Sequence, residues 1–356
     1  MGAGISRYIC NLFHDLERVG CPYSFAAVVT RAGASSLPPM LAGETLEFGL
    51  NAVTRLLKPV WDNYLIPRYI KRGDFQLFYA AGHFAPAFDR RILMVATVYD
   101  LTPFIFPKAF PWYVGSYLRF SLKRIAMSAK VIAVPSENTK VDLIRILGVE
   151  SDRIRVINPS LALAEPKAAP DANPVKLEKY ILTVGTNEPR KNLSRLIQAY
   201  SSLEADLRDE YPLVITGKMG WKGYNFDEMI KGLGIAKNVI FTGFIEERML
   251  PYLFGRATVF CYPSLYEGFG YPPLEAMFYG APVLTSNVAS LPEVVGDAAV
   301  LVNPYSVRAI AEGLRKMLHN ESMRMELRDE GRVQAQKFSN NGFAEGMMEV
   351  FEEGVR

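Results

Sequence analysis

The stretch ATVFCYPSLYEGFGYPPLEAMFYGAPVLTS, residues 257–286, reads as strand, turn, helix and second strand in succession. "ATVFCYPS" (257–264) and "APVLTS" (281–286) are apolar nearly throughout, as parallel strands buried on both faces are. Pro263 has no N–H for a ladder and marks the end of the first strand. Gly268 and Gly270 permit a tight turn and close approach of backbone to a ligand. Pro272 and Pro273 suit the first turn of a helix, where missing N–H groups cost nothing, and Gly280 suits its end. A unit of this kind implies a parallel sheet with helices packed on it.

The same rhythm extends in both directions. "YILTVGT" (180–186), "YPLVITG" (211–217), "NVIFTG" (238–243) and "AAVLVN" (298–303) read as further strands, and 306–319 and 321–337 as helices. In the first half "YSFAAVVT" (23–30), "FQLFYA" (75–80), "RILMVATVYD" (91–100) and "KVIAVP" (130–135) read as strands. Helices are expected over 114–129 and 136–148, the latter with Ser136 as N-cap and Gly148 as C-cap. "LALAEPKAAPDANPVKLEK" (161–179) has no periodicity and is rich in Ala and Pro, as a linker is. The expected fold class is therefore α/β, with two Rossmann-like doubly wound domains facing a cleft. The first domain covers 1–165, the linker 166–179 and the second domain 180–338, with 339–356 a helix crossing back to the first.

A chain of 356 residues exceeds what one hydrophobic core usually serves. Its net charge of +3 is unevenly spread: residues 1–160 carry 19 Lys and Arg against 12 Asp and Glu. That imbalance suits an anionic partner such as a phosphate-bearing substrate or a membrane surface, and equally a chance distribution over solvated faces. The cysteines Cys10, Cys21 and Cys261 show no metal or redox spacing, and three histidines make a histidine-rich zinc site improbable. No signal peptide or run long enough to span a bilayer is evident. A cytoplasmic protein is expected, in contact with the inner face of a membrane, with no nucleic-acid partner. The pattern Gly-any-Gly-any-any-Gly follows no first strand, which argues against a dehydrogenase.

Strand ends in such sheets carry the chemistry. Glu267 and Glu275 lie on either side of the glycine–proline turn. In one straight helix they would be about 12 Å apart along its axis. The glycines and prolines instead fold the chain back, with Glu267 at the mouth of the helix and Glu275 a turn inside. Amide donors at the helix start, with a carboxylate at each side, suit a nucleotide sugar: hydroxyls at both ends and phosphates between. A glutamate near a helix start is also a common cap or dipole partner. In "VGTNEPRKNLSRLIQAY" (184–200), Arg190 and Lys191 stand at the start of an amphipathic helix. They would stabilise a diphosphate and the charge developing as it leaves. The alternative is a solvated charge pair, although cations there oppose the helix dipole.

"GTNEPRKN", "FTGFI", "PSLYEGFGYPPLEAMFYGAPVLTSN" and "SLPEVVGDAAVLVNP" resemble, in order and spacing, the donor half of the retaining GT-B glycosyltransferases of family 4. The glutamate pair separated by seven residues is that family's signature. "GAGISRYICNL" resembles its glycine loop and first helix, and "VATVYDLTPFIFPKAFP" its acceptor-side loop. The resemblance implies that Glu267 contacts the donor sugar and Glu275 the ribose, while Arg190 and Lys191 hold the diphosphate. It places the backbone of Gly268, Phe269, Gly270 and Leu274 against sugar and phosphates. Gly243, Phe244 and Ile245 would lie by the base, and Gly185 and Thr186 along the cleft. Transfer would retain anomeric configuration and need neither metal nor cofactor. No Asp-any-Asp triplet of the metal-dependent type is present.

Two departures stand out. Tyr99-Asp100 occupies the place of a His-Asp pair found in many relatives. Tyrosine is a poor base at neutral pH, which makes Asp100 the better candidate for a catalytic-side contact unless it is a turn residue. Relatives also carry a strand before the glycine loop, so the acceptor-side loop Gly2–Gly4 would be poorly anchored. "DLTPFIFPKAFPWYVGSYLRFSLKRIAM" (100–127) combines aromatic and basic residues, as a membrane interface or lipid-diphosphate site does, or as a loop leading to an ordinary amphipathic helix does.

The loop style most resembles mannosyltransferases of surface-polysaccharide or lipopolysaccharide assembly. GDP-mannose is the first donor expected, with a glycan or lipid-linked acceptor. A nucleotide-sugar epimerase would convert the donor without an acceptor. A non-catalytic binding or assembly protein would hold the nucleotide without transfer.

Overall fold

The computed structural model describes residues 3–30, 38–41, 44–48, 63–64, 66–73, 75–82, 93–161, 175–218, 226–339 and 342–356. Gly2 and most of the expected linker lie outside the described residues. The chain divides into two compact units. One holds residues from 1–104, 113–160 and 340–356; the other holds 105–112 and residues from 161–339.

In the first unit, strands β1 (Ala26–Thr30) and β2 (Glu44–Phe48) pair in parallel. Strands β3 (Leu77–Ala80), β4 (Leu93–Thr97), β5 (Val131–Val134) and β6 (Ile154–Val156) form a second parallel sheet in that order. The two pieces share cores on both sides. Ala27 and Val29 pack in one cluster with Leu77 and Tyr79, and Val28 packs in another with Phe78. The helices Ala3–Arg18 and Gly342–Val355 supply Tyr8, Leu12, Phe343, Met347 and Phe351 to the larger cluster.

Sequence reading missed two of these strands. "ETLEF" carries two glutamates, and "IRV" is three residues long, so each depends on its neighbour's ladder more than on its own propensity. The expected loop Gly2–Gly4 differs too: the first helix already runs from Ala3, with Gly4 exposed in its first turn. Around 136–148 the local signals hold. Ser136 Oγ accepts the Thr139 N–H at 3.1 Å, and Gly148 closes the helix Glu137–Leu147 at φ 66°.

The second unit contains β7 (Ile181–Val184), β8 (Leu213–Thr216), β9 (Val239–Gly243), β10 (Val259–Tyr262), β11 (Val283–Ser286) and β12 (Ala299–Val302). All pair in parallel, in the order β12-β11-β10-β7-β8-β9. Alternate residues enter opposite cores. Ile181, Leu213, Ile215, Val259 and Cys261 pack beneath the helices Leu193–Ser201 and Val307–His319. Leu182, Val214, Phe260, Tyr262 and Val283 pack beneath Leu250–Arg256 and Tyr271–Phe278. Both faces of the central strands β7, β8, β10 and β11 are covered, which is why they read as unbroken apolar runs, while the edge strands β9 and β12 are part-exposed.

Candidate active site

The order of the second sheet places the site. From β7 the chain builds outward through β8 and β9, then returns to the other side of β7 with β10. The loops after β7 and β10 therefore leave the sheet side by side, at its topological switch point. They are joined there: the Leu265 N–H donates to the Arg190 carbonyl at 2.7 Å, and Ser264 Oγ lies 3.0 Å from the same oxygen.

Glu267 lies at the centre of this junction. Its Oε2 accepts Arg190 Nη1 at 2.6 Å. Its Oε1 accepts Lys191 Nζ at 2.6 Å, the Tyr262 hydroxyl at 2.9 Å and the Ser264 hydroxyl at 2.7 Å. Lys191 Nζ also donates to the Tyr262 hydroxyl oxygen. Arg190 Nε pairs with Glu188 at 3.0 Å, so two carboxylates face two cations and the quartet is neutral. Burial would push the Glu267 carboxyl up, but Arg190 and Lys191, with the bonds from Lys191 and Ser264, outweigh it and hold its pKa at about 2. Burial and the neighbouring Arg190 pull the Lys191 ammonium down, against Glu267. Burial, then the Glu267 charge, raises the Tyr262 phenol.

Arg190 and Lys191 differ in placement from the sequence expectation. They occupy a single 3-10 turn, Pro189–Lys191, ahead of the helix rather than in it. Asn192 separates them from Leu193 at φ 62°, with its side-chain amide donating to the carbonyls of Pro263 (2.9 Å) and Pro304 (2.7 Å). This αL residue turns the cations toward Glu267.

Hydroxyls pin the loop from beneath. Thr285 Oγ1 donates to the Tyr262 carbonyl at 2.8 Å, Ser286 Oγ to the Ser264 carbonyl at 2.6 Å and Ser290 Oγ to the Glu267 carbonyl at 2.9 Å. Sequence reasoning passed over Glu188, Tyr262, Ser264 and Ser290. Ser264 and Glu188 lie within the motifs quoted for the site, but only the fold shows which atoms they face.

The helix Tyr271–Phe278 begins as its prolines require. Of the two glycines before it, only Gly270 has positive φ (131°), and a Cβ there would meet Leu291 at 3.0 Å. The helix start is poorer in donors than expected, since Pro272 and Pro273 carry no N–H and the Leu274 N–H returns to the Gly270 carbonyl at 3.4 Å. Arg190 and Lys191 are thus the principal cationic donors of the junction. Gly268, Phe269, Leu274 and Glu275 are all buried.

Beside the junction, Gly185, Gly217 and Gly243 end β7, β8 and β9. Gly185 N–H donates to the Thr216 carbonyl and Gly217 N–H to the Gly243 carbonyl, each at 2.9 Å. A Cβ on Gly217 would lie 1.9 Å from the Gly185 oxygen. Three adjacent positions without side chains leave a flat floor. Thr186 and Phe244 are exposed at its rim, Ile245 is half-buried, and Lys218 Nζ sits 4.4 Å from the Phe244 ring centroid.

Tyr99 and Asp100 belong to the first unit. Tyr99 is buried; its hydroxyl donates to the Ala81 carbonyl at 2.6 Å and its ring meets Tyr8 edge-on at 4.8 Å. Asp100 Oδ1 accepts the Thr102 N–H at 2.8 Å, the turn contact an aspartate makes before a short helix. Residues 105–112 cluster with the second unit, where Phe106 packs against Tyr266, next to Glu267, at 6.1 Å between centroids. Among the described residues no group of three or more His, Cys, Asp and Glu side chains is placed to hold a metal ion.

Residues 2–164 match the model of "Glycosyltransferase Family 4" and residues 166–334 that of "Glycosyl transferases group 1". The chain is 37% identical over 255 residues to "O-antigen chain mannosyltransferase B" of Escherichia coli, covering 69% of this chain and 66% of that protein. It is 34% identical over 270 residues to "Serotype-specific mannosyltransferase WbdA" of Escherichia coli, covering 71% of this chain and 32% of that one. The chain thus spans less than two thirds of these relatives' length. A crystal structure of WaaG, "a glycosyltransferase involved in lipopolysaccharide biosynthesis", superposes with a TM-score of 0.72 at 18% identity, over 98% of this chain and 96% of that one. The chain belongs to the family 4 glycosyltransferases, and its fold is GT-B.

Proposed function

We propose that this family 4 chain transfers a hexose, mannose first, from a nucleotide diphosphate sugar to a glycan or lipid-linked acceptor in polysaccharide biosynthesis. The donor base expected first is guanine. Transfer retains the anomeric configuration, needs no metal, and takes place in contact with the inner face of a membrane. One observation carries the reading: Arg190 and Lys191 from one strand end converge on Glu267 from the next, at the switch point where such sheets hold nucleotides. The names of the relatives as mannosyltransferases support the choice of sugar.

The geometry suggests an exchange of partners. A carboxylate offers about four acceptor positions, and Glu267 already takes four donors. A diphosphate competes for Arg190 and Lys191. As they turn to it, two acceptor positions on Glu267 open to sugar hydroxyls. The same cations then offset charge on the leaving diphosphate, while Glu267 holds the sugar near its reacting carbon. Diphosphate and sugar are recognised jointly.

Calorimetric titration with GDP, UDP, TDP and ADP, followed by transfer assays with the matching hexose, tests the reading. One nucleotide binds, and Lys191→Ala lowers turnover by about 100-fold or more. Full turnover in Lys191→Ala overturns the site. Conversion of donor without an acceptor indicates the epimerase, and binding without transfer or hydrolysis the assembly protein.

A further inference from the structure

The two oxygens of Glu267 are loaded unevenly. Each oxygen of a carboxylate offers about two acceptor positions. Oε1 is met by three donors: Lys191 Nζ at 2.6 Å, the Tyr262 hydroxyl at 2.9 Å and the Ser264 hydroxyl at 2.7 Å. Oε2 is met by Arg190 Nη1 at 2.6 Å. These donors are held differently. Arg190 and Lys191 reach in on long side chains from the turn Pro189–Lys191. Tyr262 is the last residue of β10, a central strand, and is 2% exposed. Its carbonyl accepts Thr285 Oγ1 at 2.8 Å, and its ring stacks on Phe260 at 5.8 Å between centroids. So held, it has no freedom to follow a diphosphate. Lys191 Nζ donates to the Tyr262 oxygen, which leaves the Tyr262 proton for Glu267. Ser264 is less committed: its oxygen also lies 3.0 Å from the Arg190 carbonyl and 3.4 Å from that of Tyr266, so one proton has three acceptors in reach.

Resting on the function proposed above, we infer that Tyr262 is a positioning residue: its hydroxyl keeps Oε1 occupied when Arg190 and Lys191 turn to the diphosphate, so that Glu267 meets the sugar through Oε2 alone. With both cations withdrawn, Tyr262 and Ser264 fill the positions on Oε1, and the open positions all lie on Oε2. The sugar then meets one fixed oxygen rather than a carboxylate free to rotate. The same hydroxyl keeps the buried group ionised. Burial pushes the Glu267 carboxyl toward its neutral form, and the cations that oppose this are the ones a diphosphate takes. Tyr262 stays a donor, since burial and the Glu267 charge both raise its phenol. Among the described residues, the charged and titratable groups that face Glu267 are Arg190, Lys191 and Tyr262, with Glu188 beyond Arg190.

Tyr262→Phe keeps the ring and removes the hydroxyl. The variant and the wild type are titrated calorimetrically with GDP, UDP, TDP and ADP, then with GDP-mannose and the glucose conjugates of the other three. The variant is expected to bind the bare nucleotide within about twofold of the wild type, and the nucleotide sugar about tenfold more weakly. Turnover falls about tenfold, and the acid limb of kcat moves to higher pH. The acid limb of kcat/KM, which reports the enzyme before substrate binds, stays in place. In a Glu267→Gln background, Tyr262→Phe adds no further loss of sugar affinity, because it acts through that carboxylate. Equal weakening of nucleotide and nucleotide sugar overturns the assignment, and so does a loss that persists undiminished beside Glu267→Gln. A Tyr262→Phe chain that does not melt cooperatively also overturns it, since the hydroxyl then serves the fold. A wild type that binds no nucleotide removes the function proposed above and this role with it. A wild type that binds and transfers, with Tyr262→Phe its equal, removes this role alone.

Discussion

Glu267→Gln is expected to make the bare nucleotide diphosphate bind more tightly while removing transfer. Arg190 and Lys191 each donate to the Glu267 carboxylate at 2.6 Å. A charge-assisted hydrogen bond contributes roughly 1.5–3 kcal/mol net. A diphosphate that takes over either cation must first displace such a bond. With glutamine in place the competing charge is gone, and relief of one bond corresponds to a tenfold or greater gain at about 1.4 kcal/mol per decade. The sugar gains nothing, since its hydroxyls lose the carboxylate they would meet. The ratio of affinities for nucleotide sugar and bare nucleotide should therefore fall by about tenfold or more, and turnover by about 100-fold or more. Isothermal titration of wild type and variant with each ligand, at one pH and salt, measures all the binding constants. Glu188→Gln frees only Arg190 Nε, bonded at 3.0 Å, and should give the smaller change. Unchanged or weaker nucleotide binding in a Glu267→Gln protein that melts cooperatively would refute the exchange of cations.

Acid titration and a substitution in the glycine floor test the site further. The Glu267 pKa is depressed from 4.5 to about 2, so its contribution is complete above pH 4.5 and is lost as pH falls through 2. That contribution is about 3 kcal/mol. Urea unfolding at stepped pH should show an acid loss in wild type that is absent from Glu267→Gln, whereas parallel curves would remove the ion cluster as its cause. Gly217→Ala forces a Cβ to 1.9 Å from the Gly185 carbonyl oxygen at φ 145°. It should cost about 2–4 kcal/mol and lower the urea midpoint; an unchanged midpoint would show that the floor yields.

The amino-acid sequence by itself determined the six strands of the second sheet: the four central ones because burial on both faces forces continuous apolar runs, and the part-exposed edge strands β9 and β12 through their residues of high β-propensity. It also determined the helix start at Pro272 and Pro273, and the caps at Ser136 and Gly148, because each is a local backbone requirement. Glu267, Arg190 and Lys191 were legible for a related reason: they stand just past strand ends, where side chains need not fill a core. Their meeting was not. Lys191 and Glu267 are 76 positions apart, and nothing local says that β10 pairs with β7 rather than with β9. That choice belongs to the crossover topology, and only the tertiary structure decided it. The same is true of β2 and β6, too polar or too short to be read without their partners. Tyr262 and Ser264 differ: they lie only five and three positions from Glu267, and it is the path of the loop after β10 that puts both hydroxyls on one carboxylate. Hydrogen bonds between distant segments depend on register across strands, and register is a property of the folded sheet.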